Sequence, residues 1–470
     1  MEVSESNLGA QRQKKPKLVW QGLKKSKHIF VVFSAQCRVA FPEKKMYRFI
    51  ARPFVHLRSS NVARACFSTT PSCLHKANAR KRLQGTGAVP QRAGLANDKQ
   101  IYLDWNAKKT SVYHHFWLRD HCRCEQCYHP QTRQRLVDTF AIPRDIQPTS
   151  VDSTPEGLAV IWPDGHQSLY AWDWLHTHSY SPVLRTSDPL ESKQPQLWDA
   201  SLNLPAVDHE EVMHSKEGLA KWLNNLEVYG IAFVDNTPTT IEATEALGRR
   251  LCYLRETHYD RGMWSIQANL HHADTAYTTL GLGAHTDNTY FTEPAGLQMF
   301  HKLEFNGKGG ESLFVDGFNV AKQLKALSPE AYRTLSTTHV PTHSAGDDDI
   351  LIVPTPRAYP ILNHDPNGRL YQVRYNNNDR SALDHLSSAQ LEAFYDALFM
   401  WSKLLKDKKN ELWEPLNPGR VVIFDNWRVL HGRAAFEGHR LLCGAYFPWD
   451  DYKSRARTVR LTSEDKDRLL

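Results

Sequence analysis

The sequence lacks any long apolar run and is poor in cysteine. No stretch approaches the ~18 consecutive apolar residues that a membrane-spanning helix needs, since the best candidate, residues 29–41, is interrupted by Ser34, Gln36 and Arg38. Eight cysteines in 470 residues do not make the dense disulfide framework of small secreted proteins. These two absences argue against a membrane protein and against a disulfide-stabilised secreted protein.

Acidic residues are missing between Glu43 and Asp98. Residues 1–97, called the leader below, hold 19 Lys and Arg against 3 Asp and Glu. The remaining residues, called the body below, hold 39 Lys and Arg against 48 Asp and Glu. The body is therefore mildly acidic, although the whole chain has a formal net charge of +7. The body therefore has no basic surplus of the kind that nucleic-acid-binding domains carry, while its 41% hydrophobic content is that of a globular protein.

Within the leader, Met46 begins a basic, acid-free amphipathic segment that contains serine and threonine up to Ser68-Thr69-Thr70. Such a segment is typical of a mitochondrial presequence; the alternative is a solvated basic tail. Because 45 residues precede Met46, we expect it to be a second start. Two forms would then exist, one directed to the mitochondrial matrix and one left in the cytoplasm.

The pattern of apolar residues divides the chain into three parts. We predict a leader and linker over 1–97, a small β-rich domain over 98–185 and a larger domain over 200–455. Short apolar runs separated by turn signals such as Pro163-Asp164-Gly165 predict strands, and a 3.6-residue period predicts helices. Helices are expected at 219–230, 247–254 and 391–405, and strands at 158–162, 231–234, 313–315, 370–375, 420–424 and 441–447. Many short strands with few helices favour a β-sandwich or barrel decorated by helices.

Two groups of residues are of the types that bind metals. His285 and Asp287 lie two residues apart on a predicted strand and so project from one face; with one further His they would form a facial triad for Fe(II). His431, directly after a predicted strand, is a candidate for that His, and Arg440 could hold a dicarboxylate. The second group, Cys122-x-Cys124-x-x-Cys127, has thiols at a spacing that suits tetrahedral Zn(II).

Taken together, these segments resemble the iron- and 2-oxoglutarate-dependent oxygenases, and more narrowly the γ-butyrobetaine and trimethyllysine dioxygenase family. The resemblance runs from about Trp117 to Asp451. It is carried by Trp117-Leu-Arg-Asp-His-Cys122, Trp162-Pro-Asp-Gly-His166, Tyr229-Gly-Ile-Ala-Phe233, Ala276-Tyr-Thr278, Gly309-Gly310, Val315-Asp-Gly-Phe318 and Asp425–Arg433. It implies a mainly β fold with helices, a double-stranded β-helix or distorted jelly roll, preceded by a small N-terminal zinc-binding β domain.

The resemblance also implies the cofactors and their ligands. His285, Asp287 and His431 would bind Fe(II), and Arg440 would bind 2-oxoglutarate with Ser312 as a hydroxyl partner; O₂ is the other cosubstrate and ascorbate the reductant. His166 would complete a structural Cys₃His zinc site, for which His121 and His129 are alternatives. A homodimer is expected. Arg433 is expected at the surface or supporting the site, and the other histidines considered are expected to be structural: His271, His272 and His301.

Four aromatic residues match family positions that enclose a trimethylammonium group: Tyr259, Trp264, Tyr277 and Tyr446. Asp274 stands where the γ-butyrobetaine enzymes have Asn, and a carboxylate there favours a substrate with an α-ammonium; alternatively, Asp274 only caps a turn. Asn376 or Asn377 would bind the substrate carboxylate. The resemblance therefore favours C3 hydroxylation of N6,N6,N6-trimethyl-L-lysine, the first step of carnitine biosynthesis. The alternatives are γ-butyrobetaine hydroxylation and, in another class, a non-catalytic zinc-module assembly protein.

Overall fold

The computed structural model describes residues 89–186, 190, 193–268 and 274–470. The predicted presequence and the candidate second start at Met46 lie outside these residues. Within them, no helix has both the length and the apolar character needed to cross a membrane.

The N-terminal part of the body contains two three-stranded antiparallel sheets and two short helices. The first sheet comprises β1 (Arg92–Asn97), β2 (Gln100–Asn106) and β3 (Lys109–His114), and the second comprises β4 (Ser150–Ser153), β5 (Gly157–Ile161) and β6 (Gln167–Ala171). The helices are α1 (His115–Asp120) and α2 (Trp172–Thr177). Four tryptophans, Trp105, Trp162, Trp172 and Trp174, contribute to one buried core. The β5–β6 turn contains Gly165 at φ +79°, a conformation that glycine adopts without a steric penalty.

The larger part of the body contains fourteen further strands among the described residues. They are β7 (Ala206–Asp208), β8 (Ile231–Asp235), β9 (Met263–Ile266), β10 (Leu282–His285), β11 (Leu297–Gly309), β12 (Ser312–Asp316), β13 (Val340–Pro341), β14 (Ala358–Tyr359), β15 (Leu362–His364), β16 (Leu370–Val373), β17 (Leu412–Glu414), β18 (Val421–Asp425), β19 (Val429–Arg433) and β20 (Phe436–Phe447).

Eight helices accompany these strands in the described ranges. They are α3 (His209–His214), α4 (Lys216–Tyr229), α5 (Ile241–Leu251), α6 (Gly317–Leu327), α7 (Pro329–Thr337), α8 (Ser388–Leu405), α9 (Trp449–Arg460) and α10 (Ser463–Leu469).

Two sheets form the centre of this part. The six-stranded sheet has the order β7-β8-β18-β11-β20-β9, and the four-stranded sheet has the order β10-β19-β12-β17. Phe314 of β12 and Phe424 of β18 meet between the sheets with ring centroids 5.6 Å apart, inside a core that is buried from both sides. The predicted double-stranded β-helix is confirmed.

Helices cover the outer faces of the sheets, and their ends follow from local sequence. Ser215 caps α4 by accepting a hydrogen bond from the Gly218 N–H at 2.8 Å, and Gly230 at φ +71° ends it. Leu219, Trp222 and other residues of one face of α4 are buried against the six-stranded sheet. In α8, Ser387 and Gln390 form a capping box, and Trp401 lies on its buried face.

The short helix α10 packs on the N-terminal part of the body, called the N-terminal module below. Arg133 donates hydrogen bonds to Asp467 Oδ1 at 2.9 Å and to Ser463 Oγ at 3.1 Å. Arg123 donates to the Asp467 carbonyl oxygen at 3.4 Å. The module is therefore in direct contact with a helix some 330 residues away along the chain.

Candidate active site

Strands β10 and β19 bring the three predicted iron ligands together. The two strands pair with His285 opposite His431, and Asp287 follows directly after β10. His285 Nε2 lies 3.1 Å and His431 Nε2 lies 3.6 Å from Asp287 Oδ1. One ligand atom from each residue can be chosen so that all three lie within 4.8 Å of one another. Two imidazoles and one carboxylate in this arrangement have the donor chemistry of a facial triad for Fe(II).

Neighbouring groups fix the orientation of each ligand. His285 Nδ1 lies 2.8 Å from the Gly283 carbonyl oxygen; because a carbonyl only accepts, Nδ1 carries the proton and Nε2 is left with its lone pair. Gln298 Nε2 and the Tyr446 hydroxyl each donate to Asp287 Oδ2 at 2.7 Å. The second oxygen, Oδ1, is thereby directed to the two histidines.

Electrostatics favour the metal-binding protonation states of Asp287 and His431, but not that of His285. Burial alone would raise the pKa of Asp287, but His431 and His285 hold it well below its usual range. Burial, with the nearby His285, lowers the pKa of His431 to about 3. Burial opposes the charging of His285, yet the hydrogen bond and charge of Asp287 raise its pKa. The site thus has an anionic carboxylate and, at His431, a neutral imidazole, which are the forms that bind a divalent cation.

The triad lies in a cavity of about 800 Å³, a volume in the range of small-molecule sites. The predicted cosubstrate and substrate residues all line this cavity: Ser312, Arg440, Tyr259, Trp264, Asp274, Tyr277, Asn376, Asn377 and Tyr446.

Arg440, on β20, is buried at the cavity wall. Its Nε has no hydrogen-bond partner among the residues that the structure describes, and its guanidinium carbon lies 5.5 Å from the centre of the Phe436 ring. Burial, followed by the charge of Arg433, lowers the pKa of Arg440 to about 10. A buried guanidinium with an orphaned donor needs an anion, and a carboxylate of 2-oxoglutarate meets that need.

Arg433 does not lie at the surface, so this half of the expectation was wrong. It is 7% exposed, and its guanidinium donates to the carbonyl oxygens of Ala276 at 2.8 Å, Leu280 at 3.3 Å and Thr278. It therefore supports the cavity by attaching the turn over 275–280 to the strand that carries His431.

The four predicted cage aromatics are present, and a fifth joins them. Trp264 contacts Tyr446 with ring centroids 5.7 Å apart, and Tyr259 and Tyr277 line the same cavity. Tyr290, which the sequence analysis missed, is 5% exposed and places its hydroxyl 2.9 Å from that of Tyr259. Its position three residues after Asp287 was the signal that could have identified it.

Asp274 caps a turn, as one of the two predictions states, and it also lines the cavity; its effect on the choice of substrate stays a prediction. Its Oδ1 accepts a hydrogen bond from the Ala276 N–H at 2.8 Å and caps the one-turn helix Thr275–Tyr277. Its Oδ2 accepts from the Tyr259 hydroxyl at 2.6 Å on the cavity side. The carboxylate is therefore held beside the aromatic residues.

Three cysteines and a histidine meet in the N-terminal module. Cys122, Cys124 and Cys127 place their sulfurs 3.3, 3.6 and 3.5 Å from His166 Nε2. The two alternatives are occupied elsewhere, since His121 Nδ1 bonds the Trp117 carbonyl oxygen at 2.8 Å and His129 Nδ1 accepts from the backbone of Gln131 at 3.3 Å. This donor set fits tetrahedral Zn(II) closed by four protein ligands.

Burial raises the pKa of the Cys122 thiol to about 12 and also raises that of Cys127. Arg119 NH1 donates to Cys127 Sγ at 3.4 Å. Two buried sulfurs and the half-buried sulfur of Cys124, so close together, need a cation to become thiolates, which agrees with a metal site.

The histidines that were expected to be structural belong to neither metal-ligand group among the described residues. His301 is fully buried and bonds the Thr244 hydroxyl at 2.7 Å and the Gly419 N–H at 3.2 Å, as a structural histidine should. His271 and His272 lie outside the described residues.

Comparisons with known proteins agree with this geometry. Residues 189–446 match the family model for taurine catabolism dioxygenase TauD, TfdA family. Residues 95–176 match the model for the N-terminal region of γ-butyrobetaine hydroxylase-like proteins.

Individual relatives cover most of the chain. The trimethyllysine dioxygenase of Meyerozyma guilliermondii is 39% identical over 375 residues, which span 77% of this chain and 94% of the relative. The mitochondrial trimethyllysine dioxygenase of Rattus norvegicus is 42% identical, over 74% of this chain and 83% of the relative. The γ-butyrobetaine dioxygenase of Pongo abelii is 32% identical, over 80% and 98%. This chain is a 2-oxoglutarate-dependent dioxygenase and belongs to the TauD, TfdA family, on the branch of the trimethyllysine and γ-butyrobetaine dioxygenases.

Proposed function

We propose that the protein hydroxylates N6,N6,N6-trimethyl-L-lysine at C3, with 2-oxoglutarate and O₂ as cosubstrates and Fe(II) as the metal. The observation that carries this proposal is the Asp274 carboxylate, held beside the aromatic residues of the cavity that contains the triad. The higher identity to trimethyllysine dioxygenases, about 40% against 32% for a γ-butyrobetaine dioxygenase, supports the same substrate.

His285, Asp287 and His431 would hold Fe(II), which when bound supplies the activation of O₂ coupled to decarboxylation of 2-oxoglutarate. Arg440 binds the distal carboxylate of 2-oxoglutarate, because it is the buried cation whose donor lacks a partner within the described ranges. Ser312, on the neighbouring sheet and lining the same cavity, adds a hydroxyl donor. Ascorbate as reductant stays a prediction.

The aromatic side chains bind the trimethylammonium group. A quaternary ammonium has no N–H to donate, so it is recognised by the negative faces of aromatic rings, at about 0.5–2 kcal/mol for each well-placed ring. Trp264, Tyr446, Tyr259 and Tyr277 supply these rings. Asp274 adds a negative charge that attracts the second ammonium of an amino acid and repels the lone carboxylate of γ-butyrobetaine.

Turnover of the two substrates by wild type and Asp274→Asn tests the assignment. We expect wild type to prefer trimethyllysine, and the variant to lose about 10-fold or more of that preference, since one charged contact is worth about 1.5–3 kcal/mol. If wild type prefers γ-butyrobetaine, the substrate assignment is wrong.

His285→Ala separates the enzyme from the non-catalytic alternative. In this variant we expect succinate formation to be abolished while one zinc per chain remains. Absence of iron binding and of 2-oxoglutarate turnover in the wild type would favour an assembly role instead.

We further propose that Cys122, Cys124, Cys127 and His166 bind a structural zinc ion, and that the protein acts in mitochondria, as several relatives are named mitochondrial. The domain boundaries at 97, 185 and 200, the second start and the homodimer stay predictions.

A further inference from the structure

The turn over 376–380 lies at the cavity wall and contains three asparagines, an aspartate and an arginine. Asn376, Asn377, Asn378, Asp379 and Arg380 all line the cavity that contains the triad. Only Asn376 and Asn377 of this turn were predicted from the sequence to bind substrate. The turn therefore offers both amide donors and a carboxylate acceptor within five residues.

The turn is attached to the iron-binding segment by Thr286, the residue between two predicted ligands. Its N–H donates to the Tyr375 carbonyl oxygen at 2.7 Å, and its hydroxyl accepts from the Tyr375 N–H at 2.9 Å. On the other side, the His343 N–H donates to the Asp379 carbonyl oxygen at 3.0 Å. Bonds on both sides fix the turn relative to the triad.

Asp379 is a weakly compensated carboxylate of the cavity. Its Oδ2 accepts one hydrogen bond, from the Thr289 hydroxyl at 2.8 Å. Among the described residues, no lysine or arginine forms an ion pair with it; Arg380 instead donates to the Tyr395 hydroxyl at 3.3 Å. By contrast, both oxygens of Asp274 carry hydrogen bonds from the protein.

The surroundings of Asp379 disfavour its charge unless a cation is added. Burial raises the pKa of Asp379 to about 7, although Thr289 and His285 act in the opposite direction. Asp379 is half-buried, and a partly desolvated carboxylate with one neutral donor is stabilised by a cation that enters the cavity.

We infer that Asp379 is a specificity-determining residue that binds the α-ammonium group of the substrate directly, with the charge of Asp274 adding to the attraction, while the amides of the same turn bind its α-carboxylate. Asn376 is oriented for this task, because its Oδ1 accepts from the Asn378 N–H at 3.0 Å and leaves its NH₂ group as a donor. The turn thus recognises an α-amino acid head group.

This inference rests on the proposed function and deepens it. γ-Butyrobetaine has a carboxylate but no α-ammonium group, so Asp379 contributes nothing to its binding. An amino acid substrate gains a charge-assisted hydrogen bond from its α-ammonium group to Asp379. Asp379 therefore acts on the choice between substrates and not on the reaction at the iron.

The test compares trimethyllysine with 6-(trimethylammonio)hexanoate, which is the same molecule without its α-amino group. For Asp379→Asn we expect the KM for trimethyllysine, and its Kd measured by calorimetry without O₂, to rise about 30-fold or more, equivalent to about 2 kcal/mol. The KM for the des-amino compound should stay within about 3-fold, since that compound lacks the group that Asp379 binds.

Two further variants complete the experiment. Thr289→Val removes the donor to Asp379 and should change the KM for trimethyllysine in the same direction by a smaller factor. Asp384→Asn is the matched control, because Asp384 is exposed, with 80% of its side chain accessible, and it should leave both constants unchanged.

The inference is overturned if Asp379→Asn weakens the binding of both compounds by the same factor. It is also overturned if the substitution changes the KM for trimethyllysine by less than about 3-fold. If wild type does not turn over trimethyllysine at all, it is the proposed function that fails. The two failures are therefore distinguishable.

Discussion

Tyr446 has two separable roles, and Tyr446→Phe removes one of them. The ring of Tyr446 lies beside Trp264 in the substrate cavity, and its hydroxyl donates to Asp287 Oδ2 at 2.7 Å. The substitution keeps the ring and deletes the hydrogen bond that orients an iron ligand. We therefore expect a defect in iron binding without a defect in trimethylammonium binding.

The magnitude follows from the number of donors to Asp287 Oδ2. A hydrogen bond to a charged group contributes about 1.5–3 kcal/mol, and loss of a group that orients a metal ligand typically lowers metal affinity 10–100-fold. Because Gln298 still donates to the same oxygen at 2.7 Å, we expect the lower end, about a 10-fold rise in the Fe(II) concentration for half-maximal succinate formation. The KM for trimethyllysine at saturating Fe(II) should change by less than about 2-fold, since the ring is retained.

Tyr290→Phe is the matched control for this experiment. It deletes a hydroxyl of the same cavity that contacts Tyr259 and not Asp287, so the Fe(II) dependence should equal that of wild type. The reasoning is refuted if Tyr446→Phe and Tyr290→Phe shift the Fe(II) dependence equally, or if Tyr446→Phe leaves it unchanged and raises only the KM for the substrate.

Three other predictions concern the cosubstrate, the second metal and pH. Arg440→Met should raise the KM for 2-oxoglutarate about 30-fold or more, as expected when one partner of a buried charge pair is removed; Arg440→Lys should raise it less, and an equal KM in wild type and Arg440→Met would contradict the assignment. Cys124→Ser should lose its stoichiometric zinc, measured by metal analysis, and expose the N-terminal module to protease, whereas a variant that retains zinc would exclude Cys124 as a ligand. Burial lowers the pKa of His301 to about 4, below its unfolded value of about 6.5. Between these two pH values the unfolded state therefore binds more protons than the folded state. The free energy of unfolding must then fall as the pH falls from about 6.5 to 4, by roughly 3 kcal/mol at pH 4. Urea unfolding of wild type and His301→Gln measures this, and an equally steep loss in the variant would show that other groups cause it.

Part of each metal-binding group could be predicted because its spacing is local. His285 and Asp287 lie two residues apart, although β10 ends at His285, and the three cysteines lie within six residues; His431 and His166 lie far along the chain, and His166 came from the resemblance. The aromatic residues and Asp274 came from the resemblance to the family. Periodicity also predicted α4, α8 and β18, whose buried faces read directly from the sequence.

The features that could not be predicted from the sequence depend on partners far along the chain. Strand β11 was missed because Gln298, His301 and Lys302 interrupt its apolar pattern, yet all three are buried. Gln298 Nε2 donates to Asp287, His301 bonds Thr244, and Lys302 donates to the Pro415 carbonyl oxygen. Polar residues with distant partners look like surface residues in a sequence.

Distant partners also explain why the sequence did not predict helix α9, the burial of Arg433 or the position of Asp379 at the cavity. Lys453 lies on the buried face of α9 because Glu227 pairs with it, at 3.4 Å. The carbonyl acceptors of Arg433 precede it by more than 150 residues. Asp379 lines the cavity because Thr286 holds Tyr375, four residues before Asp379, beside the predicted iron ligands.

The contact between α10 and the N-terminal module has a consequence for biosynthesis. At about 5–20 residues per second, a ribosome needs roughly 20–60 s to proceed from Arg133 to Ser463, which are 330 residues apart. During that interval the zinc-binding thiols have been made, but the helix that receives Arg123 and Arg133 has not. The module therefore emerges with these arginines unpartnered by α10, and it exposes during synthesis a surface that the finished protein later covers.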